Sequence, residues 1–337
     1  MSPRHLLRFA LSTCLLGTGL IGMPGKSQAD EWPLADGVTI RTATREQGKK
    51  FLTENDDFVK RMSPFDRAAR LRSKTPVTEA QYLRHVSEQV LEFTPEENKR
   101  IGELVEKLAE KFAPFHLPWP KTIWLVKTTG EEESGAAYCR GPAVVLPGAQ
   151  TEENLWLHEL FHVLSNQNPD WRKEMYRVVG FQPCPEVAYP ESLQDLRITN
   201  PDAPRTDSYA ELSDGRYIVP VLYSNAPEYD PQKQASFFGY LTFRLMVVEK
   251  EGETWKPAQD AGGKPVLLDA GSTPDYFERI GRNTGYIIHP EEVLADNFVL
   301  LVQGKKEVAT PRILEELGRK LRKEPEAKIE QAAEAAR

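Results

Sequence analysis

His158-Glu159-Leu160-Phe161-His162 is the stretch on which the reading of this 337-residue chain turns. Residues four apart on a helix share a face, so the two imidazoles can grip one metal ion. Glu159 then stands beside the ion, where a carboxylate can take a proton from a bound water. The flanking residues predict such a helix. Thr151 is a possible N-cap, and Glu152 and Glu153 fall in a first turn where the helix dipole favours negative charge. Leu157, Leu160, Phe161 and Leu164 form an apolar stripe, and Asn166, Asn168 and Pro169 end the pattern. Two histidines and a glutamate in so apolar a segment cost free energy unless a metal or a hydrogen-bond network satisfies them.

A catalytic zinc takes three protein ligands and leaves a position open. Far downstream runs His289-Pro290-Glu291-Glu292-Val293-Leu294-Ala295-Asp296-Asn297-Phe298. Pro290 suits the first position of a helix, with His289 as a possible cap. Glu292 and Asp296 are then one turn apart, so the first can bind metal while the second accepts the spare ring N–H of a ligating histidine. Glu291, His289, Glu211 and Glu174 are rival third ligands, and a solvated helix face is the plain alternative for Glu292 and Asp296.

HELFH followed by an E-x-x-x-D helix resembles the gluzincin, thermolysin-like branch of the zinc metallopeptidases. Residue by residue, the resemblance implies His158, His162 and Glu292 as ligands of one Zn²⁺, Glu159 as general base, and Asp296 as the partner of a ligating histidine. The departure is spacing, because roughly 130 residues separate His162 from Glu292, far more than in the thermolysin-like pattern. The implied fold is α+β: a zincin-like core with a mixed sheet, an HExxH helix, a long β-rich insertion and an N-terminal helical region.

The chain before the motif agrees with that order. Thr94-Pro95-Glu96-Glu97 is a capping box ahead of Ile101, Leu104, Val105, Leu108 and Phe112 at helical spacing. Thr122 to Val126 reads as a strand, and Gly135 to Arg140 and Ala143 to Pro147 read as a hairpin turned by Gly141-Pro142. In a zincin the edge strand pairs with an extended peptide, and small residues at Gly135, Ala136 and Ala137 would let a backbone approach. The expected organisation is 1–29 signal peptide, 30–92 helical cover or pro-region, 93–310 catalytic domain with insertion 167–290, and 311–337 charged helix and tail. Within 30–92 the helices are expected at Thr44 to Asn55, Asp57 to Met62 and Thr78 to Phe93. In the insertion, Arg216–Tyr223 and Tyr240–Val248 read as strands whose aromatics are core, while Asn200-Pro201-Asp202 reads as turn chemistry. Tyr286 is the expected donor to a developing oxyanion, with Tyr209, Tyr240 and His116 as alternatives.

Composition excludes other classes. Removing residues 1–29 leaves 40 basic against 50 acidic side chains, a net charge of −10, so basic-patch nucleic-acid binding has no support. Two cysteines remain, Cys139 and Cys184, a possible disulfide in an exported protein. The expected function is a periplasmic or secreted zinc peptidase acting on peptides or proteins, without stable membrane insertion. The alternative is an exported zincin-fold protein that binds peptide or cell-wall fragments without cutting them, and a structural zinc site with a fourth protein ligand is a third reading.

The export expectation rests on basic Arg4, His5 and Arg8, an apolar run to about Ile21, and small residues in Ser27-Gln28-Ala29. The mature N-terminus should lie at or beside Asp30. Mass spectrometry of native protein checks it, and an intact Met1 or a lipidated Cys14 would contradict it.

Overall fold

The structure, a computed structural model, describes residues 30–234 and 236–322. The expected signal peptide and the tail beyond residue 322 lie outside the described residues. The protein is α+β, built on two sheets.

The first sheet begins where a helical cover was expected. Strands β1 (Glu31–Ala35) and β2 (Val38–Thr42) form an antiparallel hairpin at Gly37, whose φ of +70° suits glycine. Four helices follow: α1 (Arg45–Leu52), α2 (Asp57–Arg61), α3 (Pro64–Arg70) and α4 (Glu79–Glu88). Each starts on a side-chain cap, respectively Thr44, Asp56, Ser63 and Thr78, which satisfies amides that the first turn leaves orphaned. The sequence reading missed α3 and ran α4 too far, because the chain turns at Gln89 into the short strand β3 (Val90–Leu91).

Helix α5 (Pro95–Phe112) has the expected Thr94/Glu97 capping box, and its apolar face is buried throughout. At Gly102 a Cβ would lie 2.5 Å from the Trp32 indole nitrogen, so the glycine lets α5 seat against β1. Strands β4 (Thr122–Thr128), β5 (Tyr138–Arg140) and β6 (Ala143–Pro147) complete the sheet, in the order β1-β2-β4-β6-β5 with β3 on β4. The β2–β4 and β4–β6 pairings are parallel and the others antiparallel, so the sheet is mixed. Residues 30–92 therefore supply three strands of the sheet and are not a separate cover.

Helix α6 (Glu153–Gln167) carries the HELFH stretch and packs against the sheet through Leu157, Leu160, Phe161 and Leu164. Its N-cap is Glu152, not Thr151, and no side chain caps it. Helix α7 (Pro169–Val178) follows, then strand β7 (Gln182–Pro183) and helix α8 (Glu191–Gln194). The insertion is β-rich as expected. Strands β8 (Ser208–Glu211), β9 (Tyr217–Ser224), β10 (Leu241–Glu251), β11 (Thr254–Pro257) and β12 (Leu267–Leu268) join β7 in a second, antiparallel sheet. Tyr209, Tyr217 and Trp255 pack on one another there, as core. Helices α9 (Pro274–Ile280), α10 (Pro290–Val302) and α11 (Pro311–Leu321) close the described chain, and α10 crosses α6 with Phe298 against Phe161. No helix among the described residues is long and apolar enough to cross a membrane.

The expected disulfide is absent. Cys139 and Cys184 are both free thiols, because Cys139 on β5 turns under α6, where its Sγ lies 3.2 Å from the Glu159 carbonyl. Cys184 instead packs with Val187 and Tyr209 in the second sheet.

A buried ion pair ties α3 to the insertion. Arg70 donates to Asp66 at 2.9 Å and to the Thr199 carbonyl at 2.8 Å, and Asp66 accepts from the Thr199 amide at 2.8 Å. Ser63 adds a bond to the Arg197 carbonyl at 2.6 Å. Both charged side chains are almost fully buried. Asp66→Ala would strand the Thr199 amide and leave the Arg70 charge to Glu133 alone, and should cost about 1–3 kcal/mol of stability. Urea unfolding measures it, and a loss below about 1 kcal/mol would mean water reaches the pair.

Candidate metal centre

Helix α6 projects His158 and His162 from one face, with ring centroids 4.7 Å apart. Helix α10 crosses that face and brings three carboxylates to it. His158 Nδ1 meets Asp296 Oδ1 at 2.9 Å, and His162 Nδ1 meets Glu291 Oε1 at 2.9 Å. An ionised carboxylate only accepts, so each Nδ1 carries a proton and each Nε2 is the atom left to offer a lone pair to a metal. Both Nε2 atoms face Glu292 Oε2, at 3.1 Å from His158 and 3.5 Å from His162. His162 Nε2 is buried and has no hydrogen-bond partner. One ligand atom from each of His158, His162 and Glu292 falls within 4.8 Å of the others. Two imidazole nitrogens, one of them the orphaned His162 Nε2, and a carboxylate oxygen converging in this way fit a divalent cation of the zinc type.

The outer partners fix this geometry. Glu292 Oε1 accepts from Asn200 Nδ2 at 2.6 Å, which turns Oε2 toward the histidines. Glu291 is fully buried and accepts at once from His162, Ser165 Oγ at 2.7 Å and the Tyr176 hydroxyl at 2.7 Å. Glu291 thus holds His162 and lies outside the group whose ligand atoms converge. Thr284 donates to the second oxygen of Asp296. His289 caps α10, its Nδ1 accepting from the Glu291 amide at 3.2 Å. Burial depresses its pKa to about 4 and keeps it neutral for that task, with nearby Glu291 opposing the shift. Glu211 and Glu174 are exposed and outside the cluster.

Glu159 is 3 % exposed, and burial raises its carboxyl against the opposing pull of His162 and His158. It borders a cleft of about 650 Å³ that His158, His162, Glu292 and Tyr286 also line. Asp202 enters the same cleft from the loop after Asn200, and its Oδ1 accepts the Cys139 amide at 2.7 Å. Cys139, Glu159 and Asp202 lie within 4.8 Å of one another, and burial drives the Asp202 carboxyl well up. Tyr286 stacks on His158 with centroids 6.1 Å apart. The Glu292 charge, then burial, pushes its phenol upward, so it stays a hydrogen-bond donor. Its alternatives lie elsewhere: Tyr209 packs on Trp255, Tyr240 donates to the Asp230 carbonyl, and His116 is exposed.

The structure therefore brings together His158, Glu159, His162, Tyr286, Glu292 and Asp296, and adds Asn200, Asp202 and Glu291 in roles the sequence reading did not assign. Asn200-Pro201-Asp202 carried only a turn signal, and nothing in sequence ties it to position 292. No family model, curated protein or solved structure matches this chain.

The carboxylates leave a mark on the metal-free protein. Burial pulls the His158 pKa down, but the Asp296 and Glu292 hydrogen bonds outweigh it and lift the ring from 6.5 to about 9. A raised histidine pKa contributes stability that is full below 6.5 and lost as pH climbs through 9. In chelator the protein should lose about 3 kcal/mol across that window. Urea midpoints at pH 6.5 and 9.5 test this, with His158→Gln reducing the dependence while His162, which burial pulls down but Asp202 and Glu292 lift well up, keeps part of it. Equal midpoints in the wild type would refute it.

Proposed function

We propose that this protein is an exported zinc-dependent peptidase with a gluzincin-like core, holding Zn²⁺ on His158, His162 and Glu292. One observation carries the reading: both Nδ1 atoms are held by carboxylates while both Nε2 atoms converge on Glu292 Oε2, with His162 Nε2 otherwise unpaired. The order of mixed sheet, edge strand β5 and HELFH helix supports it. A zinc ion there would lower the pKa of a water to about 7 and polarise a carbonyl.

The chain's own residues do the rest. Glu159 accepts the proton of the attacking water and returns it to the leaving amine, and its burial lifts its basicity toward that task. Tyr286, across the cleft, donates to the oxygen that gains charge. Asp296 and Glu291 hold the two rings, and Asn200 holds Glu292. An extended peptide would lie along Gly135–Ala137, which line the cleft. It stops there, because Asp202 already occupies the Cys139 amide that further strand pairing would need.

Purified protein should carry about one zinc per chain and lose it on His158→Ala or His162→Ala. Glu159→Gln should keep the zinc and lower peptide hydrolysis by about 10²–10⁴. Metal analysis and cleavage of a broad peptide library decide the matter. Full zinc with no cleavage in wild type would replace the peptidase by a peptide-binding protein, and unchanged zinc in both histidine variants would remove the centre itself.

A further inference from the structure

Phe238 and Tyr286 are the large apolar side chains that stand exposed among the described residues, at 50 % and 44 %. They border one crevice. Exposed aromatics that converge on a concave surface mark a binding site more often than chance exposure does. Phe238 sits on the single turn Phe237–Tyr240 ahead of β10, its ring 5.4 Å from that of buried Phe237. Ile198, Leu222, Leu241 and Ile288 form the walls. Arg70 and Glu133 at the floor pair with each other, and Arg70 also lies 5.1 Å over the Phe237 ring. The crevice shares Ala136, Ala137, Asp202 and Tyr286 with the metal cleft.

We propose that this crevice is a side-chain subsite that receives an aliphatic residue of the peptide docked at the metal centre. It rests on the peptide reading of that centre. A strand laid along Ala136–Ala137 turns alternate side chains to opposite faces, and one of them meets the crevice mouth. The size selects the class. The crevice holds about 60 Å³, against about 650 Å³ for the main cleft. A cavity of about 150 Å³ accepts a benzene ring, so this smaller crevice favours the more compact branched aliphatic group over an aromatic one. The insertion supplies Phe238, Ile198, Leu222 and Leu241, and so sets the specificity.

The test uses zinc-loaded Glu159→Gln protein and octapeptides of alanine background carrying Leu, Phe, Lys or Asp at one position at a time, with affinity read by calorimetry. At one position Leu should bind about tenfold tighter than Ala. Phe, Lys and Asp should show no such gain. Phe238→Ala should shrink the Leu-over-Ala ratio, and Ile288→Phe, which fills the crevice, should abolish it, with zinc content as the check on folding. Equal Leu and Ala affinities at every position, or a Leu preference that survives both substitutions, overturns the proposal. So does a preference for Phe over Leu. A Leu preference in a protein whose wild type cleaves none of these peptides leaves the subsite standing and removes the peptidase. Cleavage without a Leu preference does the reverse. A protein that binds none of the peptides overturns both.

Discussion

The crossing of α10 over α6 sets Glu291, Glu292 and Asp296 against His158 and His162, with Glu291, Glu292 and His162 buried and Asp296 at the edge of the cleft. Burying ionised groups costs several kcal/mol each unless partners compensate, and an apolar replacement of similar volume is often as stable or more so by about 1–4 kcal/mol. Stability alone would therefore favour leucines at this crossing. The surrounding residues instead spend hydrogen bonds on aiming the charges: Asn200 turns Glu292, Ser165 and Tyr176 fix Glu291, and Thr284 fixes Asp296. Without metal the cluster compensates itself by holding protons on the histidines, which is why His158 is lifted to about 9. A divalent cation answers the same field without protonating the ligands.

The parts legible in sequence are those with a local signal. His158 and His162 are four apart on one helix, and Glu292 and Asp296 are four apart on another, so periodicity alone places each pair. The Thr94 capping box and the Gly141-Pro142 hairpin are equally local, and both are present. What periodicity does not decide is the role of two adjacent acids. Glu291 and Glu292 differ by about 100° around α10, and an amphipathic helix would have sorted them. Here Val293, Leu294, Ala295 and Phe298 are all buried along with both glutamates, so no solvent-facing side fixes the register. Asn200 and Asp202 were read as turn residues because their partners, Glu292 and the Cys139 amide, are remote in the chain. The free thiols have the same origin, since spacing does not show that Cys139 faces Glu159.

Residues 30–92 read as a cover because their caps announce helices loudly and their strands quietly. β1 and β2 are five residues each, and β3 only two. Yet β2 and β3 both pair with β4, which through β6 leads to edge strand β5. The Asp66–Arg70 pair then grips Thr199, the residue before Asn200. An N-terminal helix thus reaches Glu292 through one short loop, and a disturbance at Asp66 reaches the cleft by the same path. Removing this region would take strands from the sheet and the anchor from the loop together.

The long separation of His162 from Glu292 in the chain carries only a small entropic cost. Each doubling of a closed loop adds only about 0.6 kcal/mol. The intervening chain offsets that by folding into a sheet with its own buried cluster, Val219, Val221, Met246 and Val248 among its members. Loop length therefore did not limit where Glu292 could lie. The constraint was the fit of α10 on α6, fixed by Phe161 against Phe298. Once that crossing held His158, His162 and Glu292 together, the insertion was free to shape what lies around them. It did so with a loop that carries Asn200 and Asp202 into the cleft and a turn that raises Phe238 at its border.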